Sequence, residues 1–197
     1  MFKIIALCGY KRCGKDTVAN YIIDKYHYEH LKISQNLKNI CKELFDLSDQ
    51  QIECDEKEII DERWNTTPRK IMQFVGTEMF QYQIQGVLPN IGRSFWIQKT
   101  IKEMTELSHN GMSPKNFVIS DMRFMHEYDS LKRYRPDDII VIKINRPIRS
   151  CVTPDQHVSE EEWKQIPVDY TIDNNYTLEH LQMQIDDIIY KITFNQI

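Results

Sequence analysis

The sequence lacks the marks of several protein classes. Its five cysteines form no C-x-x-C pair and its six histidines include no H-E-x-x-H motif, so neither a disulfide framework nor a zinc site has much support. We expect no signal peptide, and no apolar run comes close to membrane-spanning length. Internal repeats, low-complexity tracts and an obvious linker are also absent. These absences favour a reduced, intracellular protein, and we expect a cytoplasmic location.

Length and charge narrow the class further. The 197 residues suffice for one domain whose core needs no disulfide or metal to stabilise it. A formal net charge of −4 argues against a general binder of nucleic acid or of membrane surfaces. We therefore expect a single globular domain over residues 1–197 that has no nucleic-acid or membrane partner.

What the sequence does contain is a glycine-rich turn between a strand and a helix. The turn reads G-Y-K-R-C-G-K-D-T over residues 9–17, after strand-forming residues and before apolar residues at helical spacing. Its two glycines permit close backbone approach to an anion, and Lys15 adds a full charge where the β- and γ-phosphates would lie. This is the context of a phosphate-binding loop, or P-loop. It predicts nucleoside triphosphate binding by Arg12, Cys13, Gly14, Lys15, Asp16 and Thr17.

Asp16 departs from the usual P-loop motif, which has Ser or Thr directly after the lysine. An aspartate there could contact Mg²⁺ directly or through water, while the Thr17 hydroxyl could hold a phosphate oxygen. The loop therefore predicts binding of a nucleoside triphosphate together with Mg²⁺. A tight turn without a ligand is the alternative, and the lysine and the flanking helical periodicity both count against it.

Strand and helix patterns alternate along the whole chain. We expect strands near residues 2–8, 28–33, 116–120, 138–144 and 169–172. One intervening helix starts at Thr67-Pro68 and has an apolar side made of Ile71, Met72, Val75, Met79 and Tyr82. Another starts at Ser34 and has its own stripe, formed by Leu37, Ile40, Cys41, Leu44 and Phe45. The alternation predicts a three-layer α/β/α fold of the P-loop NTPase type, with a parallel sheet of about five strands.

One stretch stands out by its charge. Between Asp46 and Thr66, eight carboxylates are offset only by Lys57 and Arg63. We expect a surface excursion with one short helix, and a solvated polar face is its simplest interpretation.

Several motifs resemble, in the same order, those of the bacteriophage-type deoxynucleoside monophosphate kinases. That family places Asp after the P-loop lysine, as here at Asp16. The run T-P-R-K-I-M-Q-F-V-G-T-E over residues 67–78 is similar to its P-R-x-x-L-Q-x-x-G-T-E helix, with Met72 in the Leu position. Further matches are Ser34 with Leu37-Lys38, Phe95-Trp96, I-S-D-M-R-F over 119–124 with Glu127, and H-V-S-E over 157–160. The resemblance spans Ile4 to about Leu181.

The resemblance implies transfer of the ATP γ-phosphate to a deoxynucleoside monophosphate such as dTMP or dGMP, for DNA precursor synthesis. The implied partners are small-molecule nucleotides, and the location would be the host cytoplasm if the protein is viral. It also implies a core over residues 1–34 and 114–197, a monophosphate-binding region near 35–110 and a lid near 146–160. Homodimers are common among such kinases, although no dimer helix is recognisable in this sequence.

Phosphoryl transfer requires cations that converge on the phosphates, and the sequence offers them at helix starts and strand ends. Lys15, Arg69 and Arg123 are the catalytic candidates, and Lys15 and Arg12 belong to the donor side. Lys11, Lys38, Arg69 and Arg123 are candidates for the acceptor phosphate. Arg146 and Arg149 are candidates for a lid over ATP.

Other side chains are candidates for the metal, the base and the sugar. Asp121 resembles a Walker B carboxylate that orders Mg²⁺ through water, and it could instead hold the acceptor. Gln73 and Thr77 lie four residues apart on one helix face and could hydrogen-bond a base and sugar. Three aromatic residues could stack on the base: Trp64, Phe74 and Trp96.

Each candidate also has an ordinary structural interpretation. Gln73 and Thr77 would suit a polar helix face, the tryptophans a core, and Arg146 and Arg149 a solvated surface. His157 would suit local packing or capping. For the whole chain, one alternative is a kinase like the animal phosphomevalonate kinases, which have a similar loop but lack the helix motif over 67–78. The other is a non-catalytic nucleotide-binding switch, although the absence of N-K-x-D counts against a GTPase.

Overall fold

The computed structural model describes residues 3–109, 115–146 and 161–194, which form alternating strands and helices. The strands are β1 (Ile4–Cys8), β2 (Glu29–Leu31), β3 (Phe117–Ile119), β4 (Ile139–Asn145) and β5 (Tyr170–Asp173). The α-helices are α1 (Lys15–Tyr26), α2 (Gln35–Phe45), α3 (Asp49–Glu53), α4 (Pro68–Gln73), α5 (Phe95–His109), α6 (Met125–Tyr134) and α7 (Leu178–Phe194). Within these described ranges, no helix is both long and apolar enough to cross a bilayer.

The five strands form one parallel sheet in the order β2-β3-β1-β4-β5. Strand β1 is central, and its Ala6 lies opposite Ile119 of β3 and Val141 of β4. All five residues of β1 are fully buried, as expected for a parallel strand covered on both faces. The predicted α/β/α fold with a five-stranded parallel sheet is confirmed.

One face of the sheet packs against α1 and α7. The cluster there combines inward residues of the strands, such as Ile5, Leu7 and Ile142, with Ile22 of α1 and Ile185 of α7. Removing one such side chain from water contributes about 1.5–3 kcal/mol to folding. The end of the chain therefore helps to hold the helix that follows the glycine-rich turn.

The chain divides into two compact units. The first comprises Met1–Lys32 and Glu103–Ile197 and contains the sheet, and the second comprises Ile33–Lys102. The second unit has its own small core, formed by Cys41, Leu47, Ile52, Ile71 and Val75. The functional regions predicted from the sequence stay predictions. Residues 147–160 of the predicted lid lie outside the described residues, and these include Arg149 and His157.

The helix predicted at Thr67 begins there but does not continue as a regular α-helix. Thr67 caps α4 through its hydroxyl, which accepts the Lys70 N–H at 3.3 Å. From Phe74 to Tyr82 the chain continues as a π-helix, whose wider turns shift the side chains around the axis. Met79 and Tyr82, predicted on the apolar side, are therefore exposed, and Gln81 is buried in their place.

Gly76, inside this π-helix, is explained by packing. A Cβ at this position would lie 2.6 Å from Cδ2 of Leu37 on α2. The absence of a side chain at residue 76 thus allows close contact between the two helices.

The apolar stripe predicted for α2 is only partly correct, because Cys41 is fully buried whereas Leu44 is 66% exposed. Ser34 occupies the N-cap of α2 as predicted, but its side chain makes no capping hydrogen bond.

Candidate functional site

The glycine-rich turn joins β1 to α1 and needs glycine at two positions. Gly9 has φ 141° and Gly14 has φ 104°, both in the left-handed region that side chains disfavour. A Cβ on Gly9 would lie 2.6 Å from the Ile144 carbonyl oxygen, and a Cβ on Gly14 would clash with Asn174 Nδ2. Both glycines are therefore required by conformation and by space.

Lys15 folds back across this turn. Its ammonium donates to the carbonyl oxygens of Gly9 and Tyr10, each at 2.8 Å, and lies 3.7 Å from Cys13 Sγ. The charge predicted to meet phosphates thus sits within the loop itself. This arrangement presents a localised positive charge beside the N-terminus of α1, where the helix dipole also favours an anion.

Asn174 supports the turn from the other end of the sequence, and the sequence analysis missed it. Its Nδ2 donates to the Cys13 carbonyl oxygen at 2.9 Å, and its backbone N–H donates to the Asn145 carbonyl oxygen at 2.8 Å. It directly follows β5, and a polar residue at the carboxyl end of a parallel strand was the signal that could have identified it.

The two cysteines near the turn are poor nucleophiles. Burial raises the pKa of the Cys8 thiol to about 11, against the opposing charges of Lys15 and Lys143. Burial likewise raises the pKa of Cys13, although the Lys15 charge and hydrogen bond oppose that rise. Both side chains are therefore neutral thiols at physiological pH and act as buried apolar groups.

Two carboxylates lie near the same imidazole at the edge of the sheet. His30 donates to or accepts from the Ser120 hydroxyl at 2.8 Å, and Asp121 follows Ser120. Burial lowers the pKa of His30 and the Lys32 ammonium lowers it further, while the charges of Asp121 and Asp16 oppose both effects. Asp16 is 73% exposed and pairs with Lys32 at 3.2 Å. The charges of both predicted metal ligands, Asp16 and Asp121, thus act to raise the pKa of His30.

This pair of carboxylates fits a magnesium ion that is shared with a nucleotide. Within the described ranges, no group of three or more His, Cys, Asp or Glu side chains could hold a metal ion by itself. Mg²⁺ prefers oxygen ligands and is commonly held by one or two carboxylates together with substrate phosphates and water. Asp16 and Asp121 match that ligand set, and Lys32 is a partner of Asp16 that the sequence analysis did not identify.

The segment after β3 is held by hydrogen bonds to the buried carboxyl group of Glu127. Glu127 of α6 is 4% exposed, and its Oε2 accepts the backbone N–H groups of Arg123 at 2.7 Å and Phe124 at 2.9 Å. Burial raises the pKa of Glu127 to about 8, the charge of Asp121 adds to the rise, and the two N–H groups and Arg123 oppose it. Arg123 itself is half-buried, between Asp121 and the start of α6.

The remaining cations of the first unit lie at strand ends. Lys11 is half-buried within the turn, whereas Arg12 and Thr17 are exposed, and Arg12 adopts φ 61°. Arg146 is exposed and follows β4, the strand that pairs with β1. The carboxyl ends of β1, β3 and β4 therefore bring the P-loop, Asp121, Arg123 and Arg146 to one edge of the sheet, where ligands bind in folds of this type.

In the second unit, two predicted phosphate ligands are already paired with carboxylates. Lys38 Nζ lies 2.6 Å from Glu53 Oε2, and Arg69 Nε donates to Glu58 Oε1 at 2.6 Å. Both carboxylates come from the acidic stretch. The stretch is mostly exposed, as expected for a surface excursion, and Asp61 is its one buried carboxylate. It contains α3 and a 3₁₀ helix, Asp55–Glu58, rather than one short helix.

The candidates for base and sugar contacts differ in how exposed they are to solvent. Gln73 is half-buried and Thr77 is 5% exposed, while Trp64 is 43% exposed and donates through Nε1 to the Phe45 carbonyl oxygen at 3.0 Å. Trp96 is 5% exposed and donates to the Gly76 carbonyl oxygen at 2.9 Å. The hypothesis that Trp96 stacks on a base is therefore wrong, because the side chain belongs to the core of its unit. Phe74 remains exposed.

Comparison with known proteins gives a consistent result. The chain matches the model of a family described as deoxynucleotide monophosphate kinase, over residues 3–66 and 41–185. It is 35% identical over 190 residues to a protein of Acanthamoeba polyphaga mimivirus whose name places it among the deoxynucleotide monophosphate kinases. That alignment covers 92% of this chain and 93% of the relative.

Solved structures resemble the chain in fold. Dephospho-CoA kinase from Campylobacter jejuni is 17% identical, has a TM-score of 0.54 and is covered over 100% of both chains. A sugar kinase from a Janibacter species is 12% identical with a TM-score of 0.50, over 98% of this chain and 95% of that one. At these identities the likeness shows the P-loop kinase fold alone.

Proposed function

Because this chain belongs to the deoxynucleotide monophosphate kinase family and is an ATP-dependent kinase, we propose that it phosphorylates a deoxynucleoside monophosphate. The acceptor would be dTMP, dGMP or a related nucleotide, and the product would be a diphosphate for DNA synthesis. The observation that supports this most is the Lys15 turn between β1 and α1, together with Asp121 and Arg123 in the segment that directly follows β3, the strand that pairs with β1. The reaction would take place in the cytoplasm, that of the host if the gene is viral, and a homodimer stays a prediction.

On the donor side, the P-loop would bind the phosphates of ATP. Backbone N–H groups around Cys13 and Gly14 would meet the β-phosphate, and Lys15 would exchange its carbonyl partners for phosphate oxygens. Arg12 and the Thr17 hydroxyl would add donors at the rim. Mg²⁺, held by Asp16 and Asp121 with water, would neutralise charge on the β- and γ-phosphate oxygens. Arg146 would lie over the nucleotide, and its exclusion of water would limit wasteful hydrolysis.

On the acceptor side, cations would position the monophosphate and stabilise the transferring group. Lys11, Lys38, Arg69 and Arg123 are assigned to phosphate oxygens, with Arg69 and Arg123 also meeting charge that develops during transfer. Gln73 and Thr77 are assigned to the base and sugar, and Trp64 to stacking. Arg69 lies near the N-terminus of α4, and this short helix adds little to the binding by itself.

A coupled ADP-release assay tests the proposal. ATP and Mg²⁺ are combined with a panel of deoxynucleoside and ribonucleoside monophosphates and with phosphomevalonate. We expect turnover of one or two deoxynucleotides, which falls about a hundred- to a thousandfold in Lys15→Ala and in Arg69→Ala, since each variant removes a cation aimed at the reacting phosphates. The matched control is Lys191→Ala, which removes a lysine paired with Asp187 on α7.

Two outcomes would contradict the proposal. Turnover of phosphomevalonate with none of the deoxynucleotides would indicate a different acceptor class. Tight binding of ATP in calorimetry, with neither binding nor turnover of any monophosphate, would indicate a nucleotide-binding switch. Melting curves of each variant confirm that a lost activity does not reflect a lost fold.

A further inference from the structure

The acidic segment, defined here as residues 46–66, contacts two cations that the proposed function assigns to the acceptor phosphate. Glu53 ends α3 and pairs with Lys38 at 2.6 Å. Glu58 ends the following 3₁₀ helix and accepts from Arg69 Nε at 2.6 Å. The same short segment thus provides a carboxylate for a cation on α2 and another for a cation on α4.

In both pairs the cation is the more buried partner. The Lys38 and Arg69 side chains are each 17% exposed, whereas Glu53 is 45% and Glu58 is 40% exposed. The carboxylates are therefore more accessible to water than the cations with which they pair.

The acidic segment is a folded structure that holds these carboxylates in place. Asp61 is 8% exposed, and it accepts from Arg63 Nη2 at 2.6 Å and from Gln51 Nε2 at 2.8 Å. Ser48 and Gln51 form a capping box that starts α3. The Arg63 hydrogen bond holds the pKa of Asp61 well below its usual range, so this anchor stays ionised. Glu53 and Glu58 are thus presented by fixed elements.

We propose that Glu53 and Glu58 are stand-in anions that occupy Lys38 and Arg69 before the acceptor binds and give way to its phosphate. This inference rests on the proposed function of the same site. A phosphate monoester carries a charge of about −1.5 to −2 at pH 7 and replaces a carboxylate of charge −1. A nucleoside without phosphate offers no anion in exchange. Glu53 and Glu58 therefore make the acceptor site selective for the phosphate dianion.

The two ion pairs also lower the cost of keeping Lys38 and Arg69 partly buried. A partly buried charge without a counter-charge is costly. The carboxylates remove that cost until substrate arrives. The consequence is a weaker net affinity for the acceptor. Each ion pair between a cation and the phosphate forms only when the ion pair between that cation and its carboxylate is broken.

The test uses Glu53→Gln, Glu58→Gln and the double variant, with Glu56→Gln as the control. Glu56 lies on the same segment and is exposed, so the control removes an equal charge from the segment. The KM and kcat are measured for the deoxynucleotide that the wild-type enzyme uses best. Calorimetry then compares that deoxynucleotide with the corresponding deoxynucleoside.

We expect the KM for the deoxynucleotide to fall about fivefold in each single variant, which is the scale of one partly exposed ion pair. The kcat should change less than about twofold, the affinity for the deoxynucleoside should be unchanged, and Glu56→Gln should behave like wild type. The KM should also become more sensitive to salt, since Lys38 and Arg69 attract the dianion over a longer distance when these carboxylates no longer screen them.

A KM that rises in Glu53→Gln and Glu58→Gln would overturn the inference, because the carboxylates would then be positioning the cations. A KM unchanged in all variants, or lowered equally in Glu56→Gln, would overturn it as well. Each of these results requires that the wild-type enzyme turns over a deoxynucleotide. If it turns over none, the proposed function fails and this inference fails with it.

Discussion

Glu127 holds the main chain of Arg123 in place: its Oε2 accepts the Arg123 backbone N–H at 2.7 Å from a side chain that is 4% exposed. The same oxygen accepts the N–H of Phe124, so the strand-to-helix junction after β3 is fixed by a buried acid. The Arg123 side chain then starts from a defined backbone position, whichever rotamer it adopts. This role of Glu127 in positioning Arg123 is distinct from phosphate binding. It depends on pH through the protonation of the Glu127 carboxyl group.

The first prediction concerns the pH dependence of stability. The pKa of Glu127 is raised from its ordinary 4.5 to about 8 in the folded protein, so the native state keeps a proton that the unfolded state releases. This contribution to stability is complete below about pH 4.5 and is lost as the pH rises through about 8, at no more than about 1.4 kcal/mol per pH unit. Glu127→Gln does not titrate. Its free energy of unfolding, from urea titrations between about pH 5 and about pH 9, should fall less steeply than that of wild type.

Asp129→Asn is the matched control, because Asp129 lies on the same helix and is exposed. Its stability curve should run parallel to that of wild type. If the Glu127→Gln curve also runs parallel, Glu127 does not hold the extra proton. In the activity assay, Glu127→Gln should lower kcat more than it raises KM, since Arg123 is assigned to charge that develops during transfer.

A second prediction concerns Asn174 and the P-loop. Asn174→Ala removes the amide that donates to the Cys13 carbonyl oxygen at 2.9 Å, so the turn loses a support worth about 0.5–1.5 kcal/mol. We expect the KM for ATP to rise about threefold to tenfold, with little change in the KM for the acceptor. Asn175→Ala, at the exposed neighbouring position, should leave both constants unchanged. An unchanged KM for ATP in Asn174→Ala would show that the turn keeps its shape without this bond.

A third prediction concerns the metal. Asp121→Asn preserves the shape of the side chain and removes its charge, and a magnesium ion held in part by carboxylates binds less tightly when one is neutralised. The Mg²⁺ concentration for half-maximal activity should rise about tenfold, and excess Mg²⁺ should restore most of kcat. Asp24→Asn on α1, at an exposed position, serves as the control. If excess Mg²⁺ restores nothing, Asp121 contacts the acceptor instead, which is the alternative drawn from the sequence.

A fourth prediction concerns Gly76 and Leu37. Gly76→Ala places a methyl group 2.6 Å from Leu37 Cδ2, so the leucine must move, and overpacking of this kind costs about 1 kcal/mol or more. In a Leu37→Ala background the clash is gone, and the same change should stabilise by up to about 1 kcal/mol, because alanine suits a helix better than glycine. Urea unfolding of all four proteins gives the coupling energy. A coupling near zero would mean that Leu37 adapts freely and that Gly76 has another role.

The sequence predicted the fold well because the signals were local and repeated. The three central strands, β1, β3 and β4, appeared as short apolar runs, and the order of strands and helices permitted few topologies. The P-loop was predictable for the same reason, since Gly9, Gly14 and Lys15 act at fixed spacing within nine residues. The backbone angles at both glycines agree with the requirement inferred from the sequence.

The predictions failed where the deciding contact is distant in sequence or depends on helix type. A regular period of 3.6 residues places Met79 inward, but a π-helix over 74–82 exposes it. Trp96 was a candidate for stacking until its buried bond to the Gly76 carbonyl oxygen placed it in a core. The pairing of Glu58 with Arg69 joins residues whose charges were visible but whose proximity was not.

The position of β1 at the centre of the sheet has a consequence for synthesis. Residues 4–8 leave the ribosome well before their partners, because Ile4 pairs with Phe117 of β3 and Ile139 of β4, both more than a hundred residues later. At usual elongation rates of about 5–20 residues per second, this delay is on the order of ten seconds. Throughout that interval β1, whose five residues are fully buried in the folded protein, has neither neighbour. The protein should therefore depend on chaperones during translation far more than during refolding of the complete chain, where both partner strands are present from the start.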